Sequence, residues 1–183
     1  MAAIQTLLRV LRMAADAVAM LANAAGTLVV LGLVLLVNYD VVARGAFNSP
    51  FLGAVEVVQF SMVLIVFLQL PDVCRVNRLT RSDGFLVVMG DRYPAVISVM
   101  RRIIDAVSAV LMTLIAVAIW PEFLKMYASQ DFFGVPGVFT ALWWPVKLTI
   151  FMSAALCAAI FALKVLRPDG PARKPAYGER SDV

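Results

Sequence analysis

Asn38-Tyr39-Asp40-Val41-Val42-Ala43-Arg44-Gly45-Ala46-Phe47-Asn48-Ser49-Pro50 is a polar break between two apolar runs, and its reading decides the fold. Behind it, no charge occurs between Asp16 and Asp40, which leaves residues 17–39 uncharged. At about 1.5 Å per helical residue this run reaches roughly 34 Å, enough to cross a bilayer with some tilt. Ahead of it, residues 51–70 form a second apolar run that carries Glu56 and Gln59. Asn48 as a capping residue, with Pro50 in the first turn where its missing N–H costs nothing, predicts a helix start. Pro71 predicts the helix end.

Working outward, residues 4–14 place Ile4, Leu7, Leu8 and Leu11 on one stripe with Arg9 and Arg12 off it. That pattern suits either a short helix lying in the membrane interface or a helical lead-in to the first span. The first apolar run is longer than the 7–15-residue core of a cleavable leader, and Ala22-Asn23-Ala24 lies inside it, so a retained span is expected. After Pro71 comes an arginine-spotted loop with Arg75, Arg78, Arg81 and Arg92. Its apolar piece, Phe85–Met89, is too short to cross. Pro94 opens a helix that carries Arg101, Arg102 and Asp105 and continues as a third span to Trp120. A mixed connection over 121–142 contains Pro121, Gly134, Pro136 and Gly137 and leads to a fourth span over 142–165.

The expected fold is an all-α integral membrane protein with four transmembrane helices over about 17–39, 51–70, 103–120 and 142–165, plus short interfacial helices. Residues 1–167 form one membrane domain, and 168–183 a polar tail expected to be disordered. Composition agrees: 62% of the 183 residues are hydrophobic and 15% charged, against about 45–50% and 25% in soluble domains. Mean hydropathy is +0.90.

Arg9, Arg12, Arg75, Arg78, Arg81, Arg92, Arg101, Arg102, Lys164, Arg167, Arg173, Lys174 and Arg180, 13 of the 16 basic residues, fall on the side of the termini. Arg44, Lys125 and Lys147 fall on the other. By the positive-inside rule both termini are cytoplasmic, and Tyr39, Trp120, Trp143 and Trp144 form an outer aromatic belt. The net charge of +4 is therefore read as a membrane-face signature, with no nucleic-acid partner.

The chain has no histidine. This removes His-ligated haem, most zinc and non-haem iron sites, and nucleophiles paired with His. Cys74 and Cys157 lack metal-ligand spacing and read as ordinary thiols. No phosphate loop or nucleophile–base pair is visible, so no catalytic residue, cofactor or metal is expected, and no enzyme.

Glu56 is the acid inside a span, about six residues into its expected helix, with Gln59 on the same face. It reads either as a coupling-ion or proton site, or as a structural contact fixing helix packing or a partner subunit. Lys147 lies one turn below Trp143-Trp144; it can snorkel to headgroups, or approach Glu56 across helices 2 and 4. Asp40 and Arg44 are spaced as an i, i+4 pair at the outer mouth. Ala154, Ala158 and Ala162 make a small-xxx-small seam.

The run from Asn38 to Pro50 followed by Glu56 resembles the DctQ-like small membrane subunit of TRAP (tripartite ATP-independent periplasmic) transporters. Arg44, Phe47, Asn48, Pro50 and Glu56 occupy that family's Arg, aromatic-Asn-x-Pro turn and Glu. Its frequent Trp before the Glu is replaced here by Gly53 and Ala54. Of its loop segment His-Ile-x-Val-Asp, Leu79-Thr80-Arg81-Ser82-Asp83 keeps only Asp83. Gly134-Val135-Pro136 and Trp144-Pro145 resemble the turn and start of its last span, so the likeness covers residues 25–167.

The resemblance implies an accessory scaffold subunit in the bacterial inner membrane. Its implied partners are a large multi-span membrane subunit, a periplasmic solute-binding protein and membrane lipids. The implied process is sodium- or proton-driven uptake of a solute, commonly a carboxylate. On this reading Arg44, Asn48, Pro50, Glu56, Gln59, Asp83 and Lys147 are structural or subunit-contact residues. The competing readings are a self-sufficient four-span transporter coupled through Glu56, a redox-enzyme anchor, and the small subunit of a tripartite tricarboxylate transporter.

Overall fold

The computed structural model describes residues 2–76, 94–135 and 139–166. These form α1 (Ala2–Phe47), α2 (Ala54–Arg75), α3 (Pro94–Ser129), β1 (Phe132–Val135), β2 (Phe139–Leu142) and α4 (Trp144–Leu166). All four helices are long and apolar enough to cross a membrane. The expected all-α, four-span protein is what the sequence folds into, with one small hairpin added. Asp83, the expected loop Phe85–Met89 and the tail 168–183 lie outside the described residues.

Of the two readings of the N-terminal segment the helical lead-in holds, and the helix boundaries depart from expectation in three places. Residues 2–16 are not a separate interfacial helix but the beginning of α1, which is 46 residues long or roughly 69 Å. α2 winds on past Pro71 to Arg75, because proline removes one i→i−4 bond and the turn beyond it is held by side chains. α3 likewise continues through Pro121 to Ser129.

The third departure is the turn after α1. Asn48 and Pro50 do not open α2. Asn48 adopts a left-handed conformation, φ 53°, just beyond α1, a role Asn fills at helix C-termini. Ser49 N–H donates back to the Ala43 carbonyl. α2 starts at Ala54 behind Gly53, whose φ of 94° suits glycine.

The helices stand as an open row in the order α1, α2, α4, α3, with α1 also touching α4. α1 offers α2 a column spaced alternately by four and three residues: Leu8, Arg12, Ala15, Ala19, Ala22, Gly26, Val29, Leu33, Leu36, Asp40 and Ala43 are buried or half-buried. That spacing is the seam of left-handed helix pairs. Its small residues allow close approach. A Cβ on Gly26 would stand 2.9 Å from Gln69 Cγ and 3.2 Å from Leu68 Cβ.

α4 is the central helix. Its stripe Val146, Ser153, Ala154, Cys157, Ile160, Phe161 and Lys164 is buried. Cys74 and Cys157, 83 positions apart by number, meet beside Phe161 in the core cluster, with Leu70, Ala109 and Met112 packed on it. Of the expected Ala seam, Ala154 is buried, Ala158 half-buried and Ala162 exposed. The buried edge therefore follows Ala154-Cys157-Phe161, not all three alanines.

The strands pair antiparallel, Phe132 opposite Leu142 and Val135 opposite Phe139. The hairpin base is closed by Trp143 N–H on the Asp131 carbonyl at 3.0 Å. Phe133 meets Trp143 edge-on at 5.1 Å, Tyr127 meets Trp144 at 5.9 Å, and Trp120 packs on Phe151 at 4.9 Å. These rings share the hairpin end of the molecule. The four crossings put the beginning of α1 and the end of α4 at the opposite end.

Candidate functional site

Two polar constellations mark the two ends of the α1–α2 pair. At the hairpin end, Asp40 organises the turn. Its Oδ1 accepts the Phe51 N–H at 2.8 Å, and its Oδ2 accepts an Arg44 Nη2–H at 2.9 Å. The Asp40 side chain is 13% exposed and Arg44 64%, so the carboxylate is a turn anchor, not a solvated helix end. Arg44 neutralises it from the water side. Asn48 and Pro50 are exposed within the same turn.

Glu56 is the third residue of α2 and belongs to its first turn, shallower than expected because the helix begins at Ala54. It is half-buried and Gln59 is exposed. No ion pair joins Glu56 to Lys147: among the described residues neither side chain has a hydrogen-bond or ion-pair partner.

At the terminal end, three helices converge on a polar cluster that the sequence reading did not single out. Asp72 Oδ2 accepts an Asn23 Nδ2–H from α1 at 3.2 Å. Its Oδ1 accepts two N–H groups from Arg75, at 2.9 and 2.7 Å. From α4, Lys164 Nζ donates to the Cys74 carbonyl at 2.6 Å while only 6% exposed. Arg12 and Asp16 of α1 stand with Arg75, Ile160, Leu163 and Lys164 around a small crevice. The one available signal was Asn23, a polar side chain amid the small residues of the α1 column.

Chemically, the hairpin-end constellation fixes the turn after α1, and the other ties α1 and α4 to α2. Asp40 is met by Arg44 and Asp72 by Arg75, as carboxylates near hydrocarbon require. Among the described residues no group of His, Cys, Asp and Glu could hold a metal ion. A family model described as tripartite ATP-independent periplasmic transporters, DctQ component, matches residues 33–168. The chain belongs to the DctQ family. It is a multi-pass inner-membrane protein and a transporter component, as the Arg44-to-Glu56 resemblance implied.

In TRAP systems a DctQ component works with a large membrane subunit and a periplasmic binding protein. The match begins at Leu33, so the hairpin-end turn, Glu56, Asp72, Arg75, Lys147 and Lys164 lie inside it. Arg12, Asp16 and Asn23 lie outside. No curated protein and no solved structure matches this DctQ chain.

Proposed function

We propose that this chain is the stationary scaffold subunit of a TRAP-type secondary transporter. It packs against the large membrane subunit and carries no solute or coupling ion of its own. The observation that supports this most is the open row of helices. The outermost helices, α1 and α3, have one principal neighbour each, and their remaining faces are apolar and exposed. A pathway for a polar solute needs polar side chains facing one another across the middle of a bundle. Here the polar contacts gather at the two ends and are consumed by helix packing.

On this reading Glu56, Gln59 and Arg44 meet partner subunits at the hairpin end, which faces the periplasm, and the termini are cytoplasmic. The solute is a carboxylate delivered by the binding protein and drawn in by a sodium or proton gradient. Co-purification tests this. The tagged chain, expressed with its neighbouring genes and extracted in mild detergent, should elute with a stoichiometric, very hydrophobic multi-span protein.

The half-buried, unpaired Glu56 favours a second reading, a self-sufficient transporter coupled through that carboxylate. Proteoliposomes containing this chain alone decide between them. Ion-driven uptake abolished by Glu56→Gln would replace the scaffold reading; absence of uptake, with activity restored by the co-eluting subunit, would support it.

A further inference from the structure

A furrow of about 440 Å3 runs along the α3–α4 pair, lined by Thr113, Ala116, Val117, Trp120, Phe151 and Ala155, with Ala158 at its deep end. That volume falls within the range of built ligand sites. Its walls are hydrocarbon and ring faces apart from the Thr113 hydroxyl, which is turned back onto the Ala109 carbonyl of its own helix. From Thr113 to Trp120 it extends roughly 10 Å along the helix. Trp120 and Phe151, 4.9 Å apart, mark its hairpin-side end.

One more residue belongs to this stripe. Lys147, Phe151, Ala155 and Ala158 follow one another at four, four and three residues, so Lys147 stands one helical turn above the furrow toward the hairpin. Its ammonium has no partner among the described residues. It stands one turn below Trp143 and Trp144, whose belt marks headgroup depth, within snorkelling reach of that level. An apolar trench with a free cation at its headgroup end has the chemistry of a phospholipid: acyl chain below, phosphate above. Two directly packed helices lie about 8–10 Å apart. A single alkyl chain, far slimmer than a helix with its side chains at about 10–12 Å, can lie along the groove between them.

We propose that the α3–α4 furrow is a phospholipid site in the hairpin-side leaflet, with the lipid phosphate on Lys147 and one acyl chain along Trp120, Phe151, Ala155 and Ala158. The site stands on this chain's own residues, whichever reading of its function holds. Ala155→Phe fills the trench with a ring without entering the buried α2–α4 contact, and Lys147→Gln removes the charge while keeping a polar, slightly shorter side chain.

The full chain, with whatever co-purifies, is placed in nanodiscs of equal phosphatidylethanolamine and phosphatidylglycerol. It is then released for native mass spectrometry. The expected result is one retained phospholipid, lost in Ala155→Phe and reduced about fivefold in Lys147→Gln, the effect of one basic residue at a headgroup. A photo-crosslinking residue at Val117 should carry the mass of a phospholipid. Equal lipid retention in all three proteins would overturn the proposal. So would a Val117 adduct with a second copy of the chain or with a co-purifying protein. Unchanged unfolding temperatures in the two variants exclude misfolding as the cause of lipid loss.

Discussion

The Lys164 ammonium donates a 2.6 Å hydrogen bond to the Cys74 backbone oxygen, across ninety positions of sequence. It thereby ties the last turn of α4 to the last turn of α2. The Cys74 carbonyl needs an outside donor, because the final four carbonyls of a helix have no intrahelical partner. A cation supplies it best, since the negative end of the α2 dipole lies there.

Replacing Lys164 by Met should therefore cost about 1.5–3 kcal/mol, the usual worth of a charged hydrogen bond. Cys74 and Cys157 are both fully buried, so a thiol-reactive dye reports unfolding of the purified chain directly. The dye-detected midpoint should fall by on the order of 5 °C. Lys164→Arg, which keeps the charge and the donor, should recover part of the loss. An unchanged midpoint in Lys164→Met would show that water or a neighbouring group satisfies the carbonyl equally well.

Asp72 should matter more than Asn23. Truncating Asn23 to Ala removes one neutral donor, worth about 0.6 kcal/mol on average between membrane helices. Truncating Asp72 to Ala removes both that contact and the partner of the Arg75 guanidinium, leaving a part-buried cation unpaired beside hydrocarbon. A double-mutant cycle on 23 and 72 in the same dye assay should return a positive coupling energy, and Asp72→Ala alone the larger fall. Equal losses for the two single variants would place Arg75 in water.

Gly26→Val should separate α1 from α2. The added carbons meet Leu68 Cβ, which cannot swing away, as well as Gln69. Overpacking of this kind costs about 1–3 kcal/mol. Gly32, with nothing within 4 Å of its would-be Cβ, is the control, and Gly32→Ala should leave the midpoint in place. Reversed outcomes would mean that α1 meets α2 through another face.

At the hairpin-end turn, Asp40→Ala should expose the 48–53 segment to protease and lower the midpoint, since the Phe51 N–H loses its acceptor. Arg44→Ala should change stability by less than about 0.5 kcal/mol, because its ion pair is solvent-exposed. Comparable proteolysis of the two variants would show that Arg44 holds the turn as much as Asp40 does.

Much of this molecule was legible in one dimension. Charge-free runs long enough to span, the basic residues beside them, and the Arg44-to-Glu56 pattern led to four membrane helices and to the family. The helix ends were less legible. Pro71 and Pro121 read as stops, yet both lie inside helices, because neighbouring side chains and helices compensate the one bond each removes. Asn48 read as a cap for α2 but lies just beyond the end of α1, since an Asn two residues before a proline is compatible with either side of a turn.

What the sequence determined by itself is which segments enter the membrane, for that depends only on local hydrocarbon content and length. What only the tertiary structure decided is the order of the helices, and with it the meeting of Cys74 with Cys157, Asn23 with Asp72 and Lys164 with the end of α2. In water a helix reveals its buried face by its apolar stripe. In lipid both faces are apolar, so neighbours are chosen by small residues, close packing and a few polar groups that must find partners. Those groups are named in the sequence, but their partners exist only once the helices stand side by side.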